Sequence, residues 1–201
     1  MKPLRYGGLA AALLAFNLAG CASYDAGTAQ TRDVGEYGNS TDQGGVKAAA
    51  DLYTDPAKIK DVFYVDLTKE GFYPILVMIQ DSGDARLLVE TQDFVITDSK
   101  GNTYKPVSVT AMTDEFGHHP FVYAVIGGIF SYISAEDANK KMAADWTEKQ
   151  FPSESILKPT RMKSGFLYFR MPDGVTPKGM SLEFPVEALE SKKATSFKLT
   201  L

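Results

Sequence analysis

Five consecutive apolar residues, Ile75-Leu76-Val77-Met78-Ile79, stand between Pro74 and Gln80 and leave this chain less choice than any other stretch. A run so short and so uninterrupted predicts a strand covered on both faces, because a one-sided strand would alternate with polar residues. Asp81-Ser82-Gly83-Asp84 then reads as a turn. Residues 86–90 and 94–97 continue the strand pattern, Asp98-Ser99-Lys100-Gly101-Asn102 reads as a hairpin loop with Gly101 or Asn102 at positive φ, and residues 104–110 read as the return strand. Later come Gly165-Phe166-Leu167-Tyr168-Phe169, a turn through Pro172-Asp173-Gly174, a strand over 180–184, and a last one over 196–201. In that last strand Phe197, Leu199 and Leu201 alternate with Ser196, Lys198 and Thr200, as a half-exposed strand should. Six or seven short strands with turn-rich links predict a mainly β fold, an antiparallel β-sandwich.

Helical signals interrupt this pattern twice. Asp55-Pro56 is a helix start, with Asp to cap free amides and Pro suited to the first turn, so residues 57–62 are expected to be a short helix pinned by Phe63 and Leu67. Ser134-Ala135-Glu136-Asp137 resembles a capping box, and Ala138, Met142 and Trp146 follow at helical spacing while Lys140, Lys141, Glu148 and Lys149 take other faces. This predicts an amphipathic helix over about 134–150, ended by Phe151-Pro152. Just before it, residues 120–134 are apolar all round and contain Gly127-Gly128. As a helix they reach only about 22 Å, short of a hydrocarbon core of about 30 Å, so no membrane span is expected here. The middle of the chain, about 120–150, is therefore expected to be a helical insertion between strands.

The N-terminus obeys other rules. Lys2 and Arg5 give a positive head, residues 4–18 are mostly Gly, Ala, Leu and Phe, and Leu18-Ala19-Gly20-Cys21 follows. That is the layout of an export signal. The last four residues resemble the lipobox of bacterial lipoproteins. The resemblance implies cleavage between Gly20 and Cys21, a thioether-linked diacylglycerol on Cys21 and acylation of the new N-terminus. Ala22, rather than Asp, after the cysteine implies sorting to an outer membrane, facing the periplasm. Cys21 is the single cysteine of 201 residues, so no intramolecular disulfide competes for it. The expected organisation is a signal over 1–20, a flexible tether over 21–45 rich in Gly, Ser, Thr, Asp and Gln with Tyr24 and Tyr37 solvated, and a sandwich domain over 46–201.

Two further stretches carry a resemblance. One is Asp61-Val62-Phe63 through Asp66-Leu67 to Gly71-Phe72-Tyr73-Pro74-Ile75; the other is Gly165-Phe166-Leu167-Tyr168-Phe169 with a Pro soon after. Together they are similar to the immunoglobulin-like domains of uncharacterised bacterial envelope lipoproteins. The resemblance implies an immunoglobulin-like form of the sandwich and brings no activity with it, since these are packing motifs.

Charge and motif content narrow the function. The formal net charge is −4, and −6 without Lys2 and Arg5. With no basic stripe to neutralise phosphates, nucleic acid is not an expected partner. A nucleophilic site needs Ser or Cys beside His and a carboxylate, and no Gly-x-Ser-x-Gly elbow or phosphate-cradling Gly loop occurs. His118 and His119, with Asp114 and Glu115, offer metal-ligand chemistry without a familiar spacing, and a solvated loop is the simpler reading. No cofactor is expected. Phe121, Tyr123, Ile126, Ile129, Phe130, Tyr132 and Trp146 either pack against the sandwich or form a surface for a protein partner. The expectation is a lipid-anchored envelope protein serving as a non-enzymatic accessory or interaction module. A small-ligand or lipid-binding lipoprotein and a metal-binding protein are the alternatives.

Overall fold

Burial of the central apolar run on both faces requires two separate cores, and the chain builds both. The computed structural model describes residues 26–117, 132–157 and 161–201, with the backbone alone for 116–117, 132–139 and 156. The first sheet holds β1 (Thr41–Gln43), β2 (Val46–Leu52), β3 (Phe72–Asp81), β9 (Met162–Arg170) and β7 (Pro106–Val107), in the order β1-β2-β3-β9-β7. β3 is the central strand, antiparallel to β2 on one side and to β9 on the other. Ile75, Val77 and Ile79 enter one core; Phe72, Leu76 and Met78 enter the other.

The second sheet runs β6 (Thr103–Tyr104), β5 (Val95–Thr97), β10 (Ser181–Ala188), β4 (Leu87–Glu90) and β8 (Glu154–Leu157), with β11 (Lys193–Thr200) paired along β10. β5 and β4 share one side of β10: β5 pairs with residues 181–183 and β4 with 187–188. A 3-10 turn, Thr91–Asp93, separates β4 from β5. Pro185, which has no amide hydrogen to offer, falls in the gap between them. Leu182, Phe184 and Val186 point inward from β10, Phe197 and Leu199 from β11, and they meet Ile75, Val77, Leu167 and Phe169 of the first sheet. Phe184 stacks on Phe94 at 4.3 Å and on Phe197 at 5.5 Å.

Three helices among the described residues cover the other face of the first sheet: α1 (Pro56–Phe63), α2 (Val109–Gly117) and α3 (Tyr132–Lys149). Asp55 caps α1 by accepting the Ala57 amide at 2.8 Å. Ile59, Val62 and Phe63 of α1, Val109 and Met112 of α2, and Met142 and Trp146 of α3 pack on Leu76, Met78, Phe166 and Tyr168. The architecture is thus of the expected class, mainly β, an antiparallel β-sandwich with a helical insertion. Its layers are helices, first sheet, second sheet. The chain passes from the helical layer to the inter-sheet core within a few residues, from Trp146 in one core to Phe151 in the other. Gly165 permits the crossing: a Cβ there would lie 2.5 Å from the Phe151 Cα.

Several local expectations hold and several are corrected. The hairpin loop forms as read: Gly101 has φ 85°, and the Asp98 carboxylate accepts the amides of Lys100 and Asn102, each at 2.8 Å. Asn102 also donates its side-chain amide, and this bond above all holds the Asp98 carboxyl below the usual carboxylate range. The return strand, however, is broken at Lys105, between β6 and β7, and Val109 and Thr110 are already helical. Val109 and Met112 are one helical turn apart and both buried, so a 3.6-residue period wins over the β propensity of Val109 and Thr110. Ser134 lies inside α3 rather than capping it, because the helix already includes Tyr132.

The tether boundary moves most. Val34 and Tyr37 are buried at 0% and 6% exposure, a 3-10 turn spans Val34–Glu36, and β1 pairs with β2. Even Gly27 is fastened, its amide donating to the Asp61 carbonyl at 2.7 Å. Residues 27–45 therefore belong to the folded body. Their Gly- and Ser-rich composition serves tight turns, with Gly44 and Gly45 both at positive φ. The signal, Cys21 and Tyr24 lie outside the described residues.

Candidate functional site

The segment 32–39 crosses the edge where the two sheets meet and forms one wall of an open cleft of about 390 Å³. Tyr37 anchors this wall. Its ring is buried in the helical-side core, its hydroxyl accepts the Arg32 amide at 3.2 Å, and the Arg32 guanidinium lies over the ring at 4.5 Å from the centroid. Asn39 then ties the segment to both sheets. Its side-chain amide donates to the Ala50 carbonyl of β2 at 2.8 Å and to the Thr200 carbonyl of β11 at 2.9 Å.

The opposite wall begins at the end of β2. Asp51 lines the cleft and forms an ion pair with Lys58 at 2.8 Å. The Lys58 ammonium also sits 3.7 Å from the centroid of the Tyr53 ring. Burial, with the Asp51 charge second, pushes the Tyr53 phenol up to about 12, so it stays neutral through the physiological range. Arg32 and Lys178 bring positive charge to the rim, and Thr54 adds a hydroxyl. Ala50, Leu52 and Leu201 also line the cleft, so its surface mixes charged, hydrogen-bonding and apolar groups. None of the described residues of α2 or α3 lines it. Nothing in the reading of 21–45 as tether pointed to it, although Val34 and Tyr37 at helical-turn spacing behind Asp33 were the signal available.

The structure separates the other candidate residues. Trp146 is not surface: it is fully buried, its indole N–H donates to the Phe63 carbonyl at 3.4 Å, and its own carbonyl accepts the Tyr168 hydroxyl at 3.0 Å. Its ring is large and its one polar atom is satisfied inside, so it locks α3 to α1 and to β9. One turn on, the Lys149 ammonium reaches the Val62 carbonyl and the Asp145 carboxylate, both at 2.6 Å. Phe121, Tyr123, Ile126, Ile129 and Phe130 lie outside the described residues, and Tyr132 opens α3 with only its backbone described. His118 and His119 are likewise outside. Of their carboxylate companions, Asp114 is exposed, and Glu115 is engaged with Arg170 at 2.6 Å. Among the described residues, no three His, Cys, Asp or Glu side chains converge as metal ligands would. Nor, among them, is any helix long and apolar enough to cross a membrane.

Fold and cleft together define a class, an antiparallel sandwich with one sheet backed by helices and an open cleft where the sheet edges meet. No family model matches the chain, and no curated protein matches it. Among solved structures it is similar to the yjhA protein of Bacillus subtilis, at 12% identity and a TM-score of 0.42, over 81% of this chain and 97% of that one. It is also similar to the ApaA protein of Bordetella pertussis, at 11% identity and a TM-score of 0.36, over 82% of this chain and 92% of that one. Likenesses at this level carry no argument about function.

Proposed function

We propose that this protein is a lipid-anchored component of a bacterial cell envelope, held at Cys21 in an outer membrane and facing the periplasm, where its body acts as a non-enzymatic accessory or protein-interaction module. The observation that carries the reading is Leu18-Ala19-Gly20-Cys21 behind a positive head and an apolar core, with Cys21 the single cysteine of the chain. A thioether-linked diacylglycerol plus an amide-linked acyl chain supplies enough buried methylene, at about 0.8 kcal/mol each, for stable anchoring. Intact mass of the mature protein from a bacterial membrane fraction tests it. The expected mass is that of residues 21–201 plus three acyl chains and glycerol, and the Cys21→Ala variant leaves the membrane fraction. A mature chain that starts elsewhere, or carries no acyl group, rejects the proposal. Crosslinking from the exposed face of the anchored protein then seeks the envelope partner.

A small-ligand-binding lipoprotein is the second reading, favoured by the cleft beneath Arg32 and Lys178. Native mass spectrometry of the purified protein decides it. A copurifying small molecule lost in the Arg32→Ala variant supports ligand binding, and a bare chain in both forms argues against it. Metal binding through His118 and His119 remains a third proposal, tested by metal content of the protein before and after both become alanine.

A further inference from the structure

The link between the proposed anchor and the folded body is short, and it joins the body on one side only. From Cys21 to Gly27 is six residues, which span at most about 22 Å fully extended. Gly27 is fixed: its amide bonds to the Asp61 carbonyl at the C-terminal part of α1, and a Cβ there would lie 2.9 Å from that oxygen. Ala29, Val34 and Tyr37 then continue along the helical-side core. The chain thus enters the body in the helical layer, on the face of the first sheet turned away from the second sheet.

The layers set a depth to compare with that reach. A helix is about 10 Å across, sheets stack about 10 Å apart, and the side chains on the far face add more, for a body roughly 30 Å deep. If the second sheet lay against the membrane, Gly27 would have to stand near the top of that depth. A link of about 22 Å cannot carry it there.

We infer that the lipid anchor turns the helical layer, with the exposed side of α1, toward the bilayer headgroups and leaves the outer face of the second sheet open to the periplasm. This inference rests on the proposed lipidation of Cys21. The occupant of the helical face is the lipid surface, and the covalent link rather than attraction keeps it there: on and beside α1, Lys58 and Lys60 are balanced by Asp55 and Asp61. The open face is the outward side of β11, where Ser196 is exposed between inward-pointing residues. A protein partner that reads this molecule from the periplasm meets that sheet.

The lipidated mature protein, reconstituted in phosphatidylcholine–phosphatidylglycerol vesicles containing a headgroup spin-labelled lipid, tests the orientation. The Cys21 sulfur is occupied by the thioether, so a Lys60→Cys or Ser196→Cys variant carries one free thiol for a fluorophore. The label at position 60 is expected to be quenched several-fold more than the label at position 196. Inserting about 30 Gly and Ser residues after Ala22 lengthens the reach beyond the depth of the body and should abolish the difference. Equal quenching with the native link overturns the inference. So does a difference that survives the long linker, because the body would then be orienting itself. Intact mass separates the two failures: an acylated protein with equal quenching sinks the orientation alone, whereas a protein without acyl chains sinks the anchor and the orientation with it.

Discussion

At the scale of single residues, two positions decide more than their size suggests. Gly165 sits in the middle of β9, where glycine weakens a strand, and its reason is the Phe151 backbone lying against it. In Gly165→Ala the methyl meets backbone on the far side, at 2.5 Å from Cα and 2.6 Å from N, and neither can rotate away. The variant is expected to lose about 2–3 kcal/mol, read by urea unfolding; a loss under half a kcal/mol would mean that the crossing has slack. Tyr53 carries the second prediction. Its phenol is raised to about 12 in the folded protein, against 10.0 for the ordinary group, so folding favours the protonated form. The contribution is therefore complete below pH 10 and falls as pH rises from 10 to 12, where the unfolded chain ionises first. Stability should drop by about 1–2 kcal/mol across that window, and Tyr53→Phe should flatten the drop. An unchanged slope in Tyr53→Phe places the alkaline sensitivity in another tyrosine.

At the scale of elements, the parts that sequence made legible are those whose pattern is local. The run Ile75–Ile79 needs cover on both faces whatever surrounds it, and it lies in the central strand of the first sheet, between the two cores. Asp55-Pro56 and the Asp98 loop carry their own hydrogen bonds, so they form where they were read. The parts that failed depend on distant partners. Thr41–Gln43 has no strand pattern of its own and becomes β1 because β2 offers an open edge. Val34 and Tyr37 look solvated among Gly and Ser until the sheet supplies a surface for them. The cleft was invisible for the same reason, since its wall is this segment. Asn39 shows the dependence in one side chain: it bonds to Ala50 in β2 of one sheet and to Thr200 in β11 of the other, the latter 161 positions away in sequence. Asn39→Ala should cost about 1 kcal/mol by urea unfolding. Asn39→Asp keeps the acceptor and loses both donors, so it should recover none of that loss; full recovery would show that the amide donors do not hold the sheets together.

At the scale of the whole molecule, the question is where the body ends and the link to the membrane begins. A link of 25 residues would let the domain stand far from the bilayer and tumble freely; one of six holds a chosen side down. The difference rests on whether residues 27–40 are packed in solution. Burying Val34 and Tyr37 contributes roughly 3–5 kcal/mol, a large part of the 5–15 kcal/mol typical of a whole domain. A soluble chain starting at Ala26 and one starting at Thr41 therefore make a direct comparison. The second loses Val34, Tyr37 and Asn39, and it is expected to unfold at markedly lower urea concentration with a similar slope. It should also lose protection from amide exchange at Ala50 of β2, because the Asn39 side-chain oxygen that accepts the Ala50 amide is gone. Equal midpoints would return residues 27–40 to the tether. The reach from Cys21 would then exceed the depth of the body, and the membrane would no longer choose between the helical face and the second sheet.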